Sequence, residues 1–454
     1  MLKLNKFFLS DVRCFKGEKE FNIRPLTFLI GENSTGKSTV LGCIHAIGRY
    51  IGGQGPSINF QWEPFEMGGF TNIARRATPK NTEFELGFEF DSDEKALKHE
   101  LRITLGEQSD SATPVIKQIG MTFSDREIIF IPSSSDDNED SPRPKIDHKG
   151  SKKVLKILLP TYVQHSLSFS RGFYYLQRIK HDAKLSARDH RQVGETSVNS
   201  EEEEVLQFFT DKVWDKVSDK VWDVLRLSLN LYGFAPIRSE PHRTYDPLFD
   251  DETPYGHEIP LILRRLSFGE KEKWNQLKEK LVKFGKSSGL FTDIQVRNLG
   301  RSLSNPFQLQ FKIRGAQATN LIDVGYGVSQ ILPIVTRVLM ATESQFLMQQ
   351  PEVHLHPKAQ AALTSLLVKL TKPQNNSFII ETHSDYLIDR ARIEIMRGNI
   401  APDDVSLIYL ESKRGDVAVH NLCFDEEANF KEYPPDGYRK FFLQEAHRLL
   451  GWDD

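Results

Sequence analysis

The residues with the clearest chemistry are Gly31-Glu32-Asn33-Ser34-Thr35-Gly36-Lys37-Ser38, which satisfy the pattern GxxxxGK[ST] and run directly into Thr39. The glycines let successive backbone N–H groups turn inward toward phosphate oxygens, and the positive end of a following helix faces the same anion. Lys37 is placed to reach the β- and γ-phosphates of a nucleotide, and the Ser38 hydroxyl to face Mg²⁺. Gly31, Asn33, Ser34, Thr35, Gly36, Lys37, Ser38 and Thr39 are therefore the candidate nucleotide-binding residues. Adenine specificity does not follow from them.

Hydrolysis needs a second half. In Walker-type ATPases the strand beside the phosphate loop ends in one acid that holds the Mg²⁺ water shell, and often in a second that orients the attacking water. The expected strand here runs Phe346-Leu347-Met348 and ends Gln349-Gln350-Pro351-Glu352. Glutamine accepts a hydrogen bond from water but neutralises no cation and takes no proton. The nearest carboxylates are Glu352 and Glu381, the latter opening Glu381-Thr382-His383-Ser384-Asp385, where His383 could bond a γ-phosphate or the water in line with it. Glu352, Glu381, His383 and Gln350 are thus the candidate catalytic residues, with Ser38 and Gln349 on the metal side. Asp323-Val324-Gly325-Tyr326-Gly327-Val328-Ser329-Gln330 precedes an apolar helix over 331–340. Its Gly325, Gly327 and Ser329 form a second possible anion cradle at a helix amino terminus. A site that needs both cradles can be closed by a second copy of the chain.

These residues require particular elements around them. Leu26-Thr27-Phe28-Leu29-Ile30 reads as a strand feeding the glycine turn, and residues 39–47 carry apolar side chains at helical spacing. Residues 83–90 alternate charged and apolar, as a half-exposed strand does. The runs Phe346-Leu347-Met348, Phe378-Ile379-Ile380 and 405–410 alternate with helical segments, which implies a parallel sheet. The expected fold is α/β: a P-loop ATPase domain with a mainly helical insertion, its first part over 1–130, the insertion over 131–230 and its second part over 231–454. Within the insertion, residues 133–150 are polar and proline-bearing and read as a loop. Residues 201–231 read as an amphipathic helix, with Val213, Trp214, Val217, Val221, Trp222 and Leu225 on one stripe that packs within the chain or against a partner.

Composition narrows the classes. The formal charge of −3 offers no bulk basicity for general nucleic-acid binding. A local exception is Arg171, Arg178, Lys180, Lys184, Arg188 and Arg191 mixed with Phe173, Tyr174 and Tyr175, a pattern that suits nucleic acid and equally a solvated helix face. Cys14, Cys43 and Cys423 form no CxxC pair, so neither a disulfide framework nor a zinc ribbon is available. No run approaches the ~18 apolar residues that span a bilayer, and the amino terminus lacks a signal core. A cytoplasmic protein without membrane contact is expected.

The set resembles the ABC-type ATPases of the OLD and SMC-like branch, which includes ATPase subunits of bacterial anti-phage systems such as PARIS and Septu. The matching stretches are GENSTGKST, Ala235-Pro236-Ile237-Arg238-Ser239-Glu240-Pro241, DVGYGVSQILP, QQPEVHLHP and ETHSD, in the family's order. The resemblance implies that ATP and Mg²⁺ are bound between protomers of a homo-oligomer. It implies that Gly325, Gly327 and Ser329 act as the signature in trans, His354-Leu355-His356 as the D-loop and His383 as the switch histidine. The family usually has two acids where this chain has Gln349 and Gln350, so slow hydrolysis is expected. Residues 391–454 are too few for the TOPRIM nuclease that OLD proteins append, which points to an effector nuclease on a separate chain. Two other readings stand beside this sensor or scaffold in phage defence. One is an SMC-like DNA-repair ATPase, for which long heptad arms are missing; the other is a nucleotide-locked module that binds ATP without turning it over.

Overall fold

The computed structural model describes residues 3–52, 57–76, 81–91, 98–108, 111–123, 126–132, 143–149, 152–159, 230–238, 240–246, 256–300, 302 and 304–438. Its strands are β1 (Lys3–Ser10), β2 (Glu18–Asn22), β3 (Leu26–Gly31), β4 (Glu83–Asp91), β5 (Lys98–Gln108), β6 (Ser111–Phe123), β7 (Arg126–Pro132), β8 (Arg143–Lys149), β9 (Lys152–Leu159), β10 (Leu231–Phe234), β11 (Asp293–Asn298), β12 (Phe307–Lys312), β13 (Thr319–Asn320), β14 (Gln345–Gln349), β15 (Ser377–Glu381), β16 (Val405–Lys413) and β17 (Asp416–Leu422). The helices are α1 (Lys37–Ile51), α2 (Phe70–Ile73), α3 (Ile259–Gly269), α4 (Lys271–Ser288), α5 (Tyr326–Met340), α6 (Pro357–Gln374) and α7 (Asp385–Met396).

The central sheet has the order β10-β14-β15-β3-β16-β17 and is parallel except for β17. Its inner strands are apolar on both faces because both are covered. Leu29, Leu347, Ile379, Ile408 and Leu410 face a core shared with α1 and an eight-stranded sheet, β2-β1-β4-β5-β6-β7-β9-β8. Leu26, Phe28, Ile30, Phe346, Met348, Phe378 and Ile380 face the opposite core, built with α3 to α7 and the small sheet β11-β12-β13. Each such side chain, fully buried, contributes about 1.5–3 kcal/mol, so the carboxyl ends of these strands are fixed by packing on both sides.

Two sequence expectations change. β14 is not beside the phosphate-loop strand: β15 lies between them, pairing Glu381 with Leu29 on one side and with Gln349 on the other. The polar stretch 133–150 is not all loop, because residues 143–149 form β8, antiparallel to β9 at the sheet edge. Where it is described, the 131–230 segment is therefore strand rather than helix. The helix read over 201–231 and the basic, aromatic-rich stretch 171–191 lie outside the described residues, except for Asn230, in a turn, and Leu231, which opens β10. The strand expected at 83–90 is β4, with Phe84, Leu86, Phe88 and Phe90 buried.

Candidate functional site

The first part of the site forms where β3 stops. Gly31 sits at φ +144, and a Cβ there would come 2.4 Å from the Leu410 carbonyl oxygen of β16. Gly36, at φ +90, caps α1, and a Cβ on it would lie 2.7 Å from the Cys14 Sγ and the Phe15 ring. Both positions accept only glycine, and together with Ser34 at φ +64 they bend residues 31–36 into a tight loop. The Thr35 hydroxyl donates to the Glu32 carbonyl at 2.8 Å. The Lys37 ammonium, 4% exposed, donates to the carbonyls of Gly31 and Glu32 at 3.0 and 2.7 Å. Burial pulls its pKa down, while Glu381 and Glu32 oppose that pull.

The second part comes from β15. The Ser38 hydroxyl lies 3.0 and 2.9 Å from the two oxygens of the buried Glu381 carboxylate. Burial pushes that carboxyl up, against the Ser38 hydrogen bond, the Lys37 charge and a hydrogen bond with Gln349. A hydroxyl, a carboxylate and an amide are hard oxygen donors, and together with nucleotide phosphates they suit Mg²⁺, which takes one or two carboxylates and keeps its waters. Among the described residues no group of three or more His, Cys, Asp or Glu gathers as a metal centre. A site built on one carboxylate and phosphate oxygens does not need such a group.

The loop after β14 supplies the rest. Gln350 sits at φ +41, and its N–H donates to the Glu381 carbonyl at 2.8 Å. Glu352 Oε1 accepts the His383 N–H at 2.9 Å. Burial raises the Glu352 pKa, opposed by the backbone amides of His383 and Glu352, then by the Thr382 hydroxyl and last by the Arg238 charge. Glu352 does not cap the next helix: the His356 side chain does so, accepting from the Lys358 N–H at 3.3 Å. His383 is exposed at the surface, but partial desolvation of its ring and the Lys37 charge lower its pKa and favour the neutral form.

The second cradle begins α5. Gly325 is its cap, and a Cβ there would meet nothing within 4 Å. A Cβ on Gly327 would lie 2.8 Å from the His354 carbonyl, and the Tyr326 and His354 rings meet edge to face at 4.8 Å. Ser329 lies deeper. It is buried, and its hydroxyl donates to the Tyr326 carbonyl at 2.8 Å rather than opening onto the cradle. The structure thus joins Ser38 and Gln349 to Glu381, joins Glu352 to the His383 amide, and sets the Lys37 charge beside Glu381 and His383, while Gly327 alone of the second cradle approaches the loop at His354.

Sequence reasoning missed Arg13. Its guanidinium donates to the Thr39 hydroxyl at 3.2 Å and to the carbonyls of Met67 and Asn72, tying the first turn of α1 to the residues around α2. Its unusual φ of +46 is not visible in the sequence.

The family described as "AAA domain, putative AbiEii toxin, Type IV TA system" matches residues 26–389, which include the phosphate loop, the second cradle and Glu381-Thr382-His383. A search of curated proteins returns no match. Among solved structures, an Smc head domain of Pyrococcus furiosus with an extended coiled coil, bound to the C-terminal domain of ScpA, is 10% identical with a TM-score of 0.41, covering 100% of this chain and 99% of its own. The SMC head domain of Thermotoga maritima is 10% identical with a TM-score of 0.39, covering 92% and 98%. No helix among the described residues is long and apolar enough to cross a membrane. By the match over 26–389, the chain belongs to this family of AAA-type ATPase domains.

Proposed function

We propose that the chain is an ATP-binding subunit of the ABC-type, OLD and SMC-like kind, with ATP and Mg²⁺ held between two protomers and hydrolysed slowly. It serves as a sensor or scaffold in phage defence that holds or releases an effector, a nuclease, encoded separately. The observation that carries the nucleotide reading is the contact between Ser38 and Glu381 beside Lys37. Glu381, on the strand immediately next to β3, supplies the metal-side negative charge that Gln349 and Gln350 lack. His383, whose surroundings favour its neutral form, is suited to bond a γ-phosphate or water. The family description names a toxin of a toxin–antitoxin system, and such a system needs a second component, which is compatible with a separate partner.

A second reading is favoured by Gln349 and Gln350 themselves: a nucleotide-locked module in which ATP holds two protomers together. Phosphate release from purified protein with Mg-ATP, measured beside calorimetric ATP binding, separates the two. Slow Mg-dependent release supports the ATPase, and binding with no release supports the lock. If ATP does not bind, or if Lys37→Ala leaves binding unchanged, both readings fail.

A further inference from the structure

Arg238 lies four residues beyond the end of β10, and its environment is unusual for a cation. It is 2% exposed, while its neighbour Ile237 is 66% exposed. Its guanidinium donates once, to the Gln330 carbonyl at 3.1 Å, and Nε and the second terminal nitrogen have no hydrogen-bond partner. Gln330, fully buried in α5, also accepts the Arg238 backbone N–H on its side-chain oxygen at 2.9 Å. On the other side, Arg238 lies four residues past Phe234 and Glu352 four past Met348, which are paired positions on the adjacent parallel strands β10 and β14, and the two charges act on each other; Glu352 itself is bonded by the His383 amide and the Thr382 hydroxyl. A buried cation with spare donors is costly alone, and a buried carboxylate within electrostatic reach offsets part of that cost.

We propose that Arg238 is a positioning residue that couples the nucleotide site to the second cradle, acting through its charge on Glu352 on one side and bonded to Gln330 in the first turns of α5 on the other. This rests on the reading of the site as an ATP site. The path is continuous: the His383 amide is held by Glu352, Glu352 feels Arg238, and Arg238 is clamped by Gln330, one residue after Ser329. A shift of residues 352 and 383 when a γ-phosphate arrives therefore acts on α5, and docking at Gly325 acts back on Glu352. Such coupling is reciprocal by thermodynamic necessity. Arginine suits the role because it stays charged when buried and its planar fork can serve two partners at once.

The test uses the full chain with Mg-ATP, reading amide hydrogen exchange over 325–331 with and without nucleotide, ATP affinity, and turnover where the parent has any. Arg238→Met keeps bulk without charge. Gln330→Met removes the side-chain clamp from the α5 side and serves if Arg238→Met fails to fold. Arg238→Lys keeps the charge. In the parent, ATP should slow exchange over 325–331. In Arg238→Met and Gln330→Met, ATP affinity should stay within about threefold, under 1 kcal/mol, while the exchange response is lost and turnover falls at least ~10-fold. Arg238→Lys should recover part of the response, and Arg238→Met should add nothing to the turnover loss of Glu352→Gln. A full exchange response in both methionine variants, or full additivity with Glu352→Gln, overturns the coupling while leaving ATP binding intact. Absence of ATP binding by the parent overturns the nucleotide reading and the coupling together.

Discussion

The Ser38 hydroxyl and the Glu381 carboxylate, 343 positions apart in sequence, sit 2.9 Å from each other because β3 and β15 are parallel neighbours and the loop after one opens at the end of the other. Removing the carboxylate charge while keeping the shape separates its electrostatic role from packing. Glu381→Gln should fold, retain ATP, lose the Mg²⁺ dependence of ATP affinity and lower turnover by roughly 10²-fold or more, as loss of a participating carboxylate does. Calorimetry with and without Mg²⁺ and a phosphate-release assay check both. Unchanged Mg²⁺ dependence would return the metal side to Ser38 and Gln349.

Lys37 is buried and donates to two carbonyls of the glycine loop, which keeps its ammonium at the loop that the proposed function assigns to phosphate. A charge-assisted contact of this kind is worth about 1.5–3 kcal/mol. Lys37→Ala should therefore weaken ATP binding by at least ~10-fold with an unchanged circular-dichroism spectrum and unfolding midpoint.

The phosphate loop was readable because its chemistry is local: eight consecutive residues, an apolar run before them and helical spacing after them. The parallel sheet was likewise readable from the runs at 346–348, 378–380 and 405–410, which became β14, β15 and β16. Strand order was not. The Walker-type pattern put the Gln349 strand beside the loop, but order in a parallel sheet is set by crossover helices and covered faces, and α6 and β15 place Glu381 there instead. Composition also misjudged residues 143–149, since an edge strand satisfies its backbone on one neighbour and tolerates Pro144, Lys145 and Asp147 there. The deep position of Ser329 was hidden for a related reason. Nothing in Gly-Val-Ser-Gln tells which side of the helix meets the core, and packing turns Ser329 inward with Val328 and Gln330.

Gly36 tests the loop's backbone. Any Cβ there meets Cys14 and Phe15 at 2.7 Å and occupies a left-handed conformation. Gly36→Ala should cost about 1–3 kcal/mol from strain and crowding and abolish measurable ATP binding. A urea unfolding curve with nucleotide-free protein gives the first, and a titration the second.

His45, one face behind the loop on α1, gives a pH signature. Its ring is buried against Phe65, and burial, helped by Arg49, lowers its pKa from 6.5 to about 3. A depressed folded value means that the unfolded chain takes up a proton the native state refuses, so this contribution is intact above pH 6.5 and is lost progressively as pH falls toward 3. The full loss is roughly 5 kcal/mol. His45→Gln should flatten the fall in unfolding free energy between pH 6 and 4 by nearly one proton's slope, and denaturant curves at stepped pH read it directly.

Gly325 tests whether the second cradle works in trans. Ser329 is a poor probe because it is buried and an arginine there would disrupt α5, whereas a side chain at Gly325 meets nothing and its φ of −58 suits any residue. Gly325→Arg should therefore leave the fold and monomer ATP binding as in the parent, with affinity within about threefold, under 1 kcal/mol. Bulk and charge at the mouth of the cradle should nevertheless block association of two protomers around ATP. Light scattering of parent and variant with Mg-ATP, beside a Lys37→Ala control that cannot hold the nucleotide, measures this. Association of the parent alone places Gly325 at the face that meets the partner's phosphate loop. Equal ATP-driven association of parent and Gly325→Arg removes the trans role from Gly325 and leaves the α5 amino terminus as a packing feature against His354.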